Sequence, residues 1–209
     1  MPKQDTRTRI LVTSLLLFND RGEPNTTTNQ IADEVEISPG NLHYHFRRKS
    51  DLVDALLAEF QADVRRVLQP PAQETTVDDY WVFLHLLLET LAAYRFLLRD
   101  METLVAAYPK VSRALMSFSK GLTAVMQIHL GALNRSGALY IGDTDMPTVS
   151  RNLVVVALFS ERFDEVSGAA SSADDSALRI ARSVLAMLLP YASDDAVAHW
   201  AALSDHYRQ

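Results

Sequence analysis

The chain has 209 residues, nearly half of them apolar, with seven glycines and no cysteine. This favours an all-helical protein and excludes disulfides and thiolate metal sites, while no apolar run spans a membrane and MPKQDTRTRI is no signal peptide, so a cytoplasmic place without membrane contact is expected. The net charge of −6 is uneven: residues 1–50 hold seven Lys/Arg against six Asp/Glu, and the remaining 159 hold thirteen against twenty.

Residues 6–21 are predicted as the first helix, with Ile10, Leu11, Leu15, Leu17 and Phe18 on its packing face and Gly22 and Pro24 ending it. Its leading arm carries Lys3, Arg7 and Arg9, which can reach a nucleic-acid backbone or minor groove, or simply be solvated. The stretch TTNQIADEVEISPGNLHYHFRRK, Thr27 to Lys49, then reads as two short helices around a tight turn. Thr27 and Gln30 form a capping box. Ile31, Ala32 and Val35 make a two-turn apolar stripe, and Glu36-Ile37 breaks it. Ser38 is a good N-cap and Pro39 suits the first helical position.

Leu42 and Phe46 bury one face of that second helix. The opposite face presents Gly40, Asn41, His43 and Tyr44, which makes the pair a helix-turn-helix shaped for a major groove. Two short helices around a turn also occur in proteins that never touch DNA, so the residue types on the open face carry the argument. Asn41 can read an adenine edge; His43 and Tyr44 can bond phosphates or lie against a thymine methyl. Arg47, Arg48 and Lys49 follow at the start of another helix, where phosphates are favoured.

The pattern T-T-x-x-I-A-x-x-V-x-I-S-x-G-x-L-x-Y-H-F-x-x-K-x-x-L, from Thr27 to Leu52, resembles the TetR family of bacterial repressors. With the leading helix the resemblance covers about the first 65 residues. Tyr80 to Val111 also looks like a subgroup of these regulators whose ligands are mostly unassigned. Three positions depart from the pattern. Glu36 stands where glycine is usual, His43 replaces a frequent tyrosine, and Arg48 replaces a small capping residue, for which Ser50 or Asp51 can substitute. The resemblance implies a three-helix DNA-binding domain at 1–48 and a larger helical ligand-binding and dimerisation domain at 49–209. The expected DNA-binding set is Thr27, Thr28, Ser38, Gly40, Asn41, His43, Tyr44, His45, Arg47 and Lys49.

The following helices are read as 49–68, closed by Pro70-Pro71; a densely apolar stretch from Asp78 to Arg99; and a short helix ending near Tyr108. The bend between the last two is expected at Tyr94-Arg95-Phe96 or at Arg99-Asp100. An apolar stretch of that density should be surrounded by other helices. Pro109 opens a long helix that ends at Asn134 to Gly137. Pro147–Val166 contains LVVVALF, whose β-branched residues also suit a buried strand, though a lone strand has no partner here. Ser167–Ser176 is a small, polar connection. Helices at Ala177–Tyr191 and Asp194–Tyr207 close the chain. Two late apolar helices suit either a monomer core or a four-helix bundle between two copies. The resemblance implies a homodimer through the last long helices, which would set two recognition helices on a palindromic double-stranded operator.

It also implies an inducer held among the middle helices, a small and largely apolar effector lined by Trp81, His85, Tyr94, Phe96, Met101, Met116, Phe118, Met126 and His129. The same residue types make an ordinary core. Arg95 and Arg99 can hold an anionic head group or pair with Glu89, Asp100 or Glu102. No cofactor, catalytic residue or metal site is expected. Two other classes fit less well: a metal-dependent or other enzyme, for which His85 and Glu89 at i, i+4 give the nearest ligand spacing, and a scaffold that does not bind DNA.

Overall fold

A computed structural model describes residues 5–71, 75–169 and 173–206, and the regular structure among them is helical. The elements are α1 (Thr6–Arg21), α2 (Thr28–Glu34), α3 (Pro39–His45), α4 (Lys49–Val67), α5 (Val77–Ala93), α6 (Phe96–Arg99), α7 (Met101–Ala107), α8 (Pro109–Arg135), α9 (Met146–Ser167), α10 (Ala173–Leu188) and α11 (Val197–His206), with a 3-10 turn at Leu189–Tyr191. LVVVALF lies in α9, where Leu153, Val154, Ala157 and Leu158 are buried. Both bend candidates are real, since α5 stops before Tyr94-Arg95 and α6 stops at Asp100. Residues 170–172 of the expected polar connection, and Lys3, lie outside the described residues.

Local chemistry sets the boundaries. Gly22 adopts φ 95° and donates its N–H to the Phe18 carbonyl at 3.0 Å, which stops α1. The Thr27 hydroxyl accepts from the Gln30 N–H at 3.2 Å, and Gln30 Oε1 accepts from the Thr27 N–H at 2.7 Å, so the capping box is complete. The Ser38 hydroxyl caps α3 through the Asn41 N–H at 3.2 Å. Asp51 takes over the start of α4, accepting from the Arg48 N–H at 3.1 Å. At the other end, α11 begins at Val197 rather than Asp194, because Ser193 caps it through the Ala196 N–H at 3.3 Å.

The chain divides into two compact units. One holds Met1–Asp63 with Ala93–Met116, and the other holds Val64–Ala92 with Ser117–Gln209. In the first, α2 packs on α1 and on α3, and Ile10, Phe18, Ile31, Leu42, Phe46 and Leu52 are buried. The short helices α6 and α7 return to close the end of α1. Arg99 donates from Nη2 to the Phe18 carbonyl at 2.6 Å and from Nη1 to the Asn19 carbonyl at 2.7 Å, and Arg95 Nε donates to Asn19 at 2.9 Å. These guanidiniums therefore satisfy helix-end carbonyls and are not free for a ligand head group.

In the second unit α10 packs on α9 and α11. Tyr80, Leu84, Leu122, Leu130, Leu153, Val184, Leu185 and Trp200 are fully buried there. α5 is not enclosed all round: Val82 and Leu86 are exposed, so its apolar density exceeds what its own unit covers.

The α2–α3 turn carries a backbone cost. Glu36 has φ 57°, the one non-glycine residue with positive φ among the described residues. A left-handed L-residue costs roughly 1–2 kcal/mol, whereas glycine adds about 0.5–1 kcal/mol of chain entropy, so the steric term wins. Glu36→Gly is expected to raise unfolding free energy by about 0.5–1 kcal/mol, read from urea denaturation.

Candidate functional site

Seven residues cannot hold a helix alone in water, so α3 depends on its anchors. Leu42 and Phe46 are buried, each worth about 1.5–3 kcal/mol. What they leave outside is Ser38, Pro39, Gly40, Asn41, His43 and Tyr44. Tyr44 is 83% exposed, its ring edge-on to half-buried His45 at 5.2 Å. Gly40 needs neither left-handed backbone nor space: a Cβ there would meet only the Ser38 hydroxyl, at 3.9 Å. Neither packing nor backbone explains a glycine at this position.

His43 Nδ1 lies 3.2 Å from the Arg47 carbonyl, an acceptor, so that nitrogen carries the hydrogen and Nε2 faces outward. Arg47 and Arg48 follow, both exposed. The surface thus offers an amide, a phenol, an imidazole and two guanidiniums, a set that can hydrogen-bond bases and phosphates.

Other cations of the region are already engaged. Lys49 Nζ sits 3.0 Å from the buried Glu23 carboxylate and also donates to the Glu23 carbonyl. Tyr108 donates to the same carboxylate at 2.6 Å, its phenol held above the ordinary range by burial and by Glu23. Lys49 therefore serves the fold first. Arg9 donates to the Val35 carbonyl at 2.7 Å and Arg7 lies over the Phe46 ring at 5.0 Å, so both tie α1 to the neighbouring helices instead of forming a free arm. Thr27 is an exposed cap and Thr28 is half-buried.

The expected effector residues fall in both units. Tyr94, Phe96, Met101 and Met116 belong to the first. There Phe96 packs on Phe18 at 5.4 Å, Tyr94 donates to Asp63 at 2.7 Å, Met101 is half-buried and Met116 is exposed. Trp81, His85, Phe118, Met126 and His129 belong to the second. His85 stacks on Trp81 and pairs with Glu89 at 3.2 Å on the surface, an ordinary i, i+4 contact. No group of three potential metal-ligating side chains occurs among the described residues.

Met126 and His129 join two residues that the sequence reading did not single out, Tyr80 and Trp200. Tyr80 lies 5.8 Å from Trp200 and 6.0 Å from His129, and His129 stacks on Phe83 at 4.2 Å. Both His129 nitrogens and the Trp200 indole N–H are buried without a hydrogen-bond partner among the described residues. Among the described residues the Tyr80 hydroxyl reaches the Met126 thioether, at 3.4 Å. An unsatisfied buried polar group costs about 1–3 kcal/mol, so this cluster is expensive for a core. Trp200 sits in an alanine-rich helix with little periodicity, which is why it did not stand out.

Burial pushes the His129 imidazole down to about 4, against the raising influence of Asp79. An unfolded chain takes up this proton near 6.5 and the folded one only near 4, so stability is retained above that window and lost as pH falls through it. Thermal melts at pH 7 and pH 4.5 are expected to show a smaller acid-induced fall for His129→Leu than for the natural chain.

Comparison with known proteins completes the picture. Residues 10–56 match the model described as bacterial regulatory proteins, tetR family, and residues 59–200 match the one described as bacterial transcriptional repressor. The HTH-type transcriptional regulator UidR of Escherichia coli is 32% identical over 79 residues, 38% of this chain and 40% of that protein. The HTH-type transcriptional repressor KstR2 of Rhodococcus jostii is 39% identical over 62 residues, 30% of each chain. The chain thus spans less than half the length of these curated relatives. A crystal structure of a TetR-family transcriptional regulator from Marinobacter aquaeolei matches throughout, with TM-score 0.86, 30% identity, and 99% of this chain and 100% of that one covered. The chain belongs to the TetR family of helix-turn-helix transcriptional repressors, a family of regulators and not of enzymes.

Proposed function

We propose that the protein is a ligand-responsive repressor that binds a palindromic operator as a homodimer and leaves it when a small, largely apolar effector binds. The observation that carries this reading is the outward face of α3, where Asn41, His43 and Tyr44 stand exposed around a glycine that the fold does not need. Asn41 is assigned to a base edge, with Tyr44, Arg47 and Arg48 on phosphates.

An apolar stripe supports the dimer. Val155, Phe159, Phe163 and Val166 lie three or four residues apart along α9 and are exposed, Phe163 at 70% and Val166 at 82%. Such a stripe on a solvated helix suits a self-complementary contact between two copies. Coupling two recognition helices makes the second DNA contact intramolecular, a gain of about 10²–10⁴ in avidity. Release then requires the effector to prefer the form whose recognition helices no longer match the groove spacing. A near-complete switch needs about 5.5 kcal/mol of preference.

Selection of operators from genomic fragments, followed by titrations at several salt concentrations, tests the reading. Tyr44→Ala is expected to weaken binding to all operator variants alike, whereas Asn41→Ala reorders them. An unchanged ranking with Asn41→Ala would falsify the base-reading role. Phe163→Glu is expected to give monomers in analytical ultracentrifugation and to lower operator affinity at least ~100-fold.

A further inference from the structure

Five helix-borne side chains in the second unit combine aromatic walls with polar atoms that the fold leaves unserved. Tyr80 and Phe83 come from α5, Met126 and His129 from α8, and Trp200 from α11. His129 is 4% exposed and Trp200 is fully buried, and the indole N–H and both imidazole nitrogens lack partners among the described residues. Stacking on Phe83 at 22° occupies a face of the imidazole and leaves its nitrogens at the ring edge. The Tyr80 O–H rests on a sulfur, a weak acceptor that an oxygen displaces readily. The cluster therefore has two donors in need of an acceptor and an imidazole able to give or take one hydrogen bond. Among the described residues no charged side chain bonds to it; the exposed Asp79 acts on the imidazole through its charge alone.

We propose that this aromatic box is the effector seat, and that its ligand is a small uncharged molecule whose carbonyl-type oxygen accepts from Trp200 and Tyr80 while its apolar body lies along Phe83 and Met126. This rests on the ligand-responsive reading above and gives it a site and a ligand class. An anion is excluded by solvation: it would leave water for a box to which the described residues bring no cation, and burial keeps the imidazole neutral. A pure hydrocarbon would leave the buried donors as unserved as before. Entry is by α11, whose buried residues among those described are Trp200 and Ser204, and whose polar tie to α5 is the solvent-exposed His199–Asp78 pair at 2.9 Å. Exposed pairs of this kind hold weakly.

The test uses the full-length chain with ¹⁵N-labelled tryptophan, since its two indole N–H signals, Trp81 and Trp200, are separable with Trp81→Phe. Matched probes are acetophenone, benzoate and ethylbenzene, with the two-ring set 2-acetonaphthone, 2-naphthoate and 2-ethylnaphthalene. At least one ketone is expected to shift the Trp200 signal downfield and raise Tm, with the matching carboxylate and hydrocarbon at least ten-fold weaker. Trp200→Phe and Tyr80→Phe should each abolish the ketone's increment. Ketones that leave Trp200 unmoved, carboxylates that bind as tightly, or an increment surviving in both variants would each overturn the seat. Operator titrations separate this proposal from the one beneath it. A ketone that occupies the box yet leaves operator affinity unchanged keeps the seat and removes ligand-driven release. A compound that releases operator without moving Trp200 keeps the regulator and removes the seat.

Discussion

The end of α1 presents carbonyls that no further helical turn can satisfy, and the first unit is arranged around meeting them. A helix leaves its last carbonyls without intrahelical donors, and burying them unpaired is costly. Arg99 supplies two donors to Phe18 and Asn19, Arg95 supplies a third to Asn19, and the Asn19 side chain bonds back to the Ala93 carbonyl and the Phe96 N–H. Charge-assisted bonds of this kind are worth roughly 1.5–3 kcal/mol each, more than a typical surface ion pair. Asp100 holds the Arg99 guanidinium and accepts from the Glu23 N–H at 2.8 Å, and the Glu23 carboxylate receives Lys49 and Tyr108. Through these groups α1, α4, α6 and α7 meet at one polar knot. The short helix α3 is held separately, by α2 and by its own buried Leu42 and Phe46.

This arrangement explains which parts were legible in the sequence. Caps and breakers act locally: Thr27 with Gln30, Ser38-Pro39, Gly22 and Pro109 give helix ends within a residue or so of those observed. The open face of α3 was also readable, because Leu42 and Phe46 at i, i+4 leave only one way to turn a seven-residue helix. Long-range polar pairing was not. Lys49 and Arg9 look like phosphate ligands in a sequence and prove to be partners of Glu23 and Val35, each 26 residues away in the chain. Arg95 and Arg99 look like an anion clamp and prove to be helix caps. No local pattern distinguishes a free guanidinium from one held by a carbonyl 80 positions away.

Aromatic residues of the second unit show the same limit from the other side. In a helix adjacent residues point about 100° apart, so Tyr80 and Trp81 cannot both face inward equally. Tyr80 is fully buried and Trp81 only partly, and His85, one turn on, stays with Trp81 at the surface. His129 sits among apolar residues on α8 and is buried, while the Trp200 that completes its surroundings comes from an alanine-rich helix 71 residues further on. A core selected for stability alone would fill this place with leucine. Polar atoms kept there at a cost of about 1–3 kcal/mol each point to a function that the packing does not supply.

Glu36 belongs to the same argument. Glycine would relieve its left-handed backbone, and the exposed carboxylate joins Asp33 and Glu34 on the helix preceding the recognition helix. Like charge beside a phosphate surface weakens binding that does not depend on sequence, since that binding is mostly electrostatic. The base contact proposed for Asn41 on the neighbouring helix would be short-ranged and lose less. On the proposed reading, an acidic, slightly strained turn would trade stability and overall affinity for a larger ratio of specific to non-specific binding, the ratio that decides how a repressor is distributed over a genome.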